Sequence, residues 1–564
     1  MNLKRKPTTA LFSIPRSLIW IALVFSSNIL PKADAVETIN VLVVLVQWAD
    51  HTSRPLIPRS DIDQFWNGPG NSNLIPGESV AEYIASNSYG KYQLKATVLD
   101  WTRASATEAQ ASNGNMGNSA NGNHIEDSLV PVLQAVVDQG LDLSPFVDAN
   151  SSMLKGVVFM HSGYAAETYQ VDCETQAGHN NRIQSKSWGV SESITGPRRY
   201  TLSTFITVSA YRGWCNSQIA GVGVHIHEWM HAKYLLEDLY DTGGRYMGSR
   251  SATGGIGGFG LMSYAGGQRI SSIEAYPGIM SPHSKIQTGY LDPIDIEVDG
   301  TYSARPAELF PDVYKISIPY EEGEYILIEN RQPLLSDKNL WSPGGIVIYH
   351  VDENTEGYGN FVRGGPFLEG WPGNGAHYKV AVLQADFKYE LEKAENLGHS
   401  ADFWKTGDIL GPGNGELVAT AAGTYPNTDS YVDGNIRVTG LVLDSFKDDG
   451  DGVWSFRVTG LPTPPSGPPV NSPTGPPNAG GGGDVATTTP GETPTDEPNP
   501  TALPTPLSEP PVDLPTGAPN APATTPMETP TEVPDSAAIA IPAPFTLLLC
   551  LLSAQMGITL LTNT

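Results

Sequence analysis

The residues best suited to chemistry are concentrated in GVGVHIHEWMHAKYLLEDLYD, residues 221–241. Inside it, HEWMH places His227 and His231 four apart, with Glu228 directly after the first. On an α-helix, positions four apart share one face, a single turn from each other. Two neutral imidazoles there can hold one Zn²⁺, a borderline-soft ion that accepts nitrogen ligands. Glu228 then projects beside the metal, where a carboxylate can take a proton from an attacking water. Two ligands and a general base in H-E-x-x-H spacing is the metallopeptidase pattern, and a chain of this composition contains roughly 0.01 such matches by chance. The competing account is an amphipathic helix with core histidines. His225, two positions before His227, falls on another face and reads as packing or support.

A catalytic zinc needs one more protein ligand beside its water. Were the helix to continue, Asp238 would sit about 10 Å further along the axis than His231, out of reach. The chain must therefore turn back soon after His231, and Glu237, Asp238 and Asp241 are the acids on offer. Tyr234, Leu235 and Leu236 stand where a helix commonly ends on a left-handed Gly.

HEWMH followed by DLYD resembles the immune inhibitor A family of secreted metallopeptidases, zincins with a metzincin-like site. Further blocks resemble that family in its order: SVAEYIASNSYGKYQL (79–94), GGIGGFGLMSY (254–264), SPHSKIQTGYLDP (281–293), EYILIENRQ (324–332) and GGIVIYHVD (344–352). The family runs from the second His through a Gly to a Pro-Asp pair, with an Asp six positions after that His. Here Tyr234 stands where the Gly would fall and Glu237 at the six-residue spacing. Alignment on DLYD implies one inserted residue and puts Asp238 at the Asp. The resemblance thus implies Zn²⁺ held by His227, His231 and either Asp238 or Glu237. It also implies a structural Met turn at Met262, and Tyr264 as a phenol donor to a tetrahedral oxyanion.

The fold implied is α+β: a zincin-like catalytic domain, a β-rich sandwich-like domain, then a disordered Pro/Thr-rich stalk. Residues 1–35 read as a signal peptide, with Lys4, Arg5 and Lys6 before an apolar SLIWIALVF and an Ala33-Asp34-Ala35 cleavage site. The catalytic domain is expected over 36–294. INVLVVLVQWAD (39–50) and GVVFMHSG (156–163) are apolar enough for buried strands. SVAEYIASNSYGKY and SLVPVLQAVVDQG carry helical spacing. Residues 104–123, poor in large apolar groups, read as a surface loop. Over 295–460, short β-rich runs alternate with Gly, Pro, Asn and Asp turns. Residues 461–535, rich in Pro, Thr, Ser and Gly, cannot bury enough apolar surface to fold. Residues 536–564 form an apolar anchor signal with no basic flank, read as GPI attachment or a single span.

Cys173 and Cys215 pair economically as a disulfide in an oxidising compartment, and Asn150 heads a glycosylation sequon. DDGDG (448–452) offers at most a weak Ca²⁺ site, lacking EF-hand spacing. The net charge of −27, from 33 Lys and Arg against 60 Asp and Glu, argues against nucleic acid as a partner. The expectation is an extracellular, surface-anchored zinc endopeptidase acting on proteins or peptides, tethered to a cell surface or wall. The rival is a catalytically inactive peptidase-like adhesion or matrix protein.

Overall fold

The computed structural model describes residues 36–118, 125–148, 151–168, 171–212, 215, 218–241, 254–263, 276–340, 343–355, 360, 377–393, 395–413, 426–431 and 436–462. The stretches read as signal peptide, anchor and nearly all of the stalk lie outside them, as do Asn150 and Tyr264. Of the chain's two units, Met1–Val470 and Asn471–Thr564, the described residues all belong to the first. Among them no helix is long and apolar enough to cross a membrane.

The protein is mixed α/β with several sheets. Its first sheet is built on β1 (Glu37–Gln47), which pairs in parallel with β2 (Tyr92–Val98), β3 (Thr102–Arg103) and, beyond the short β4 (Met153–Leu154), with β5 (Val157–His161). An antiparallel strand, β6 (Lys186–Thr195), lies against β7 (Arg199–Ser209), which itself runs parallel to β4 and β5. Parallel strands covered on both faces need apolar residues at every position, and Val41 to Val46 are all buried. The two-residue period divides them. Val41, Val43 and Leu45 join one core with α1 (Arg59–Asn67), α2 (Val80–Asn87) and α5 (Val222–Tyr234). Leu42, Val44 and Val46 join a second core with α4 (Glu126–Asp138).

The expected surface loop over 104–123 is corrected. It contains α3 (Glu108–Ser112), and Ala104, Glu108, Ala111 and Ser112 are buried. The helix is set by a capping box: Thr107 accepts from the Gln110 N–H, and the Gln110 side chain accepts from the Thr107 N–H. Cys173 and Cys215 stand at bonding distance with Cα atoms 5.7 Å apart, within the span of a disulfide.

After α6 (Pro282–Gln287) come two further sheets. One runs in the order β13 (Val380–Val382), β12 (Gly345–Asp352), β11 (Glu324–Arg331), β10 (Tyr314–Ile316), β8 (Ile294–Asp295). The other orders β14 (Val442–Gly450), β15 (Val453–Thr459) and β9 (Gly300–Ala304). Ile326, Ile328, Ile346 and Ile348 face this three-stranded sheet across a core shared with Phe456 and Val458. The alternate residues Leu327, Val347, Tyr349 and Val351 belong to the core of α1, α2 and α5. Apolar packing is therefore continuous across the boundary expected at residue 294.

Candidate metal centre

Helix α5 follows β7 and is buried nearly all round, including His227, Glu228, Trp229 and Met230. It is pinned to the sheet by two polar bonds: Thr204 Oγ1 donates to the Ala232 carbonyl at 2.6 Å, and Trp229 Nε1 to the Gly156 carbonyl at 3.2 Å. The helix ends because Leu235 adopts φ 58° and ψ 30°, a left-handed cap whose N–H donates to the His231 carbonyl. A leucine in that conformation is strained, and its side chain is 66 % exposed, so packing does not offset the cost. The cap reverses the chain and carries Asp238 back over the helix.

Three side-chain atoms then meet. Asp238 Oδ1 is 3.2 Å from His227 Nε2 and 3.1 Å from His231 Nε2, and the two Nε2 atoms are 3.1 Å apart. Each ring is oriented through its other nitrogen: His227 Nδ1 lies 2.9 Å from the Leu261 carbonyl, and His231 Nδ1 bonds the Leu236 carbonyl. A carbonyl only accepts, so both Nδ1 atoms carry hydrogen and both Nε2 lone pairs face inward. Two lone pairs and a carboxylate oxygen in mutual contact repel unless a cation stands among them. Ligands around a tetrahedral Zn²⁺ with bonds of about 2.0–2.1 Å are separated by about 3.3 Å, so the residues present fit the ion. Without a metal, a proton takes that place. Burial works to lower His227, but its hydrogen bond to Asp238 and the charges of Glu228 and Asp238 push it up to about 9. Burial likewise opposes ionisation of Asp238, yet its bonds to both imidazoles hold it well below the usual carboxylate range.

Glu237, the other acid at this turn, is committed elsewhere. It accepts from Lys379 Nζ at 2.6 Å. Asp241 accepts from the Tyr378 hydroxyl at 3.1 Å. His225 is also turned away, with Nδ1 at the Gly221 carbonyl and Nε2 at the Ser209 carbonyl, and burial lowers it to about 4. Met262 is fully buried in the turn next to Leu261, and its carbonyl accepts from the Leu239 N–H at 2.7 Å. Glu228 is buried beside the imidazoles, and burial raises its carboxyl.

These groups open on a cleft of about 400 Å³. Gln184 to Ser187 and Gly189 line one side, Leu235, Leu236 and Tyr240 another, with Glu228, His227, His231 and Asp238 between. The first side is the end of β6, which among the described residues pairs only with β7. Two supports had no signal in the sequence. Asn360 donates from its backbone to the Asp238 carbonyl at 3.2 Å and from Nδ2 to the Leu239 carbonyl at 2.7 Å, fixing the turn from far along the chain. Lys379 removes Glu237 from contention.

A second group of possible ligand types is His51, Glu108 and Asp172, all buried. His51 Nε2 is 3.4 Å from Glu108 Oε2. Here a cation is already built in, because Arg54 Nη2 donates to both Asp172 oxygens at 2.9 and 2.7 Å. Burial pushes Glu108 up to about 8 and His51 down to about 4. The capping box at Thr107–Gln110 was the one sequence sign that Glu108 sits on an ordered helix. No model of a known protein family and no curated protein matches this chain.

Proposed function

We propose that the protein is a zinc-dependent endopeptidase of the zincin type, related to the immune inhibitor A peptidases it resembles. The observation that carries this reading is the convergence of His227 Nε2, His231 Nε2 and Asp238 Oδ1 within 3.1–3.2 Å, beside a buried Glu228. Zn²⁺ held by these three residues supplies Lewis acidity to a water and to a peptide carbonyl.

The chain's own residues do the rest. Glu228, with a carboxyl raised by burial, takes the proton of the attacking water and returns it to the leaving amine. The Leu261 and Leu236 carbonyls hold the imidazoles in the tautomer that leaves Nε2 free to ligate. Among the described residues β6 pairs only with β7, so an extended peptide can pair with its other edge at the cleft as an added strand. That geometry favours unfolded or loop segments of proteins as substrates. Tyr264 retains its proposed role as an oxyanion donor, and secretion with attachment at a cell surface or wall remains part of the proposal.

The test is metal analysis of the purified protein together with cleavage of an unfolded protein substrate, comparing wild type with Glu228→Gln. One zinc per chain in both, with turnover only in the wild type, supports the reading. Equal cleavage by both proteins overturns it, and zinc without wild-type turnover transfers support to the inactive adhesion reading.

A further inference from the structure

Between β13 and β14 the chain folds a loop around four ionisable side chains, Asp386, Glu390, His399 and Asp402. One ligand atom from each lies within 4.8 Å of the others. His399 Nε2 is 2.7 Å from Glu390 Oε2 and 3.6 Å from Asp386 Oδ2, and its Nδ1 is 3.5 Å from Asp402 Oδ1. His399 Nδ1 accepts from the Ala401 N–H at 3.2 Å, so of the ring nitrogens only Nε2 is left to donate among three carboxylates.

The shortage is visible at the atoms. The Asp402 side chain is 0 % exposed. Its Oδ2 accepts from the His399 N–H at 2.7 Å, but its buried Oδ1 has no hydrogen-bond partner. Asp386 Oδ2 is buried and ion-paired with Lys388 Nζ at 3.2 Å. That lysine is 61 % exposed. Asn396 Nδ2 donates to Glu390 Oε2 at 3.1 Å. A buried carboxylate oxygen without a donor is costly, and Asp402 Oδ1 is one, 3.5 Å from His399 Nδ1.

We propose that Asp386, Glu390 and Asp402, joined by His399, hold a divalent cation of the oxygen-preferring class, with Ca²⁺ the best match. Three carboxylates from one loop supply hard oxygen ligands, and backbone carbonyls and water complete the six to eight that Ca²⁺ takes. A lone imidazole among them does not make the set soft enough to favour Zn²⁺. The site is separate from the centre on α5 and does not rest on it. It nonetheless bears on that region. The Leu397 carbonyl accepts from the Gly258 N–H at 2.8 Å, and the Phe403 and Phe259 rings lie 5.5 Å apart. A cation that fixes this loop also stiffens the turn leading to Leu261, the carbonyl partner of His227.

The test uses the purified full chain stripped with EGTA, titrated with CaCl₂, MgCl₂ or ZnCl₂ while Tm and bound metal are measured. Ca²⁺ at 100-fold over its Kd is expected to raise Tm by about 3–5 °C. Asp386→Asn and Asp402→Asn are expected to weaken Ca²⁺ binding by about 10-fold or more, whereas His227→Ala leaves it unchanged. Should Asp402→Asn fail to fold, Glu390→Gln decides, since that side chain is 20 % exposed and tolerates the change. Tb³⁺ luminescence sensitised by Tyr389 and displaced by Ca²⁺ gives an independent readout. The absence of any Ca²⁺-dependent Tm shift, or Ca²⁺ affinity unaltered in Asp386→Asn and Glu390→Gln, overturns the site. Zn²⁺ that binds in this loop and resists Ca²⁺ overturns its hard-cation character.

Discussion

The groups His227–His231–Asp238 and His51–Glu108–Asp172 contain similar side chains, with ligand atoms within 4.8 Å of one another in each, yet the protein completes them differently. At the first, lone pairs converge and, among the described residues, no Lys or Arg pairs with Asp238, while one wall opens on a cleft of about 400 Å³. At the second, Arg54 supplies the positive charge through two bonds to Asp172, and His51, Arg54, Glu108 and Asp172 are all closed off from solvent. Donor type therefore does not distinguish an open group from a closed one. What distinguishes them is whether the protein itself provides the counter-charge and whether a substrate has access.

The contrast breaks most visibly at Glu228. Glu228→Gln is expected to lower peptide hydrolysis by about 10²–10⁴-fold while leaving bound zinc unchanged, measured by turnover and metal content. Asp238→Asn and His231→Ala should instead lose the zinc, whereas Glu237→Gln should keep both metal and activity because Glu237 is paired with Lys379. Zinc loss from Glu237→Gln but not from Asp238→Asn would reverse the assignment. In the closed group the effect falls on stability. Arg54→Met strands the buried Asp172 carboxylate and should cost about 3–5 kcal/mol in denaturant unfolding, with zinc content unaltered.

A finer comparison uses pH. Burial raises Glu108 from its ordinary 4.5 to about 8, so the folded chain keeps a proton that the unfolded chain has released. The stability from that proton is fully present below about pH 4.5 and is lost as pH rises towards about 8. Glu108→Gln should flatten this decline in unfolding free energy measured across pH 5–8. The smallest effect is expected at the turn between helix and ligand. Leu235→Gly relieves a left-handed leucine and should stabilise by about 1 kcal/mol, without altering metal content.

Much of this was legible because strong periodic signals coincide with buried elements. The apolar run of β1 and the H-E-x-x-H spacing of α5 each require one kind of environment, and the structure supplies it. The identity of the acid at the turn was not legible between residues 237 and 238. A one-residue difference decides which side chain returns to the helix, and it depends on Leu235 taking a conformation that its side chain disfavours. Asn360 and Lys379 settle the outcome from more than a hundred residues away, beyond any local pattern. Helix α3 was hidden by its Glu, Ala, Gln and Ser content, which lacks an apolar stripe, although its capping box was written in Thr107 and Gln110.

The two-faced burial of β11 and β12 bears on how the chain can be divided. Leu327, Val347, Tyr349 and Val351 lie against the same apolar mass as α5, while Asn360 and Lys379 brace the acidic turn beside it. A fragment ending at residue 294 would forfeit a wall of its own interior together with the braces on its ligand loop. Trimming at residue 294 would therefore strip away part of the apolar mass against which α5 packs, which makes the C-terminal sheets a keystone for the centre that precedes them.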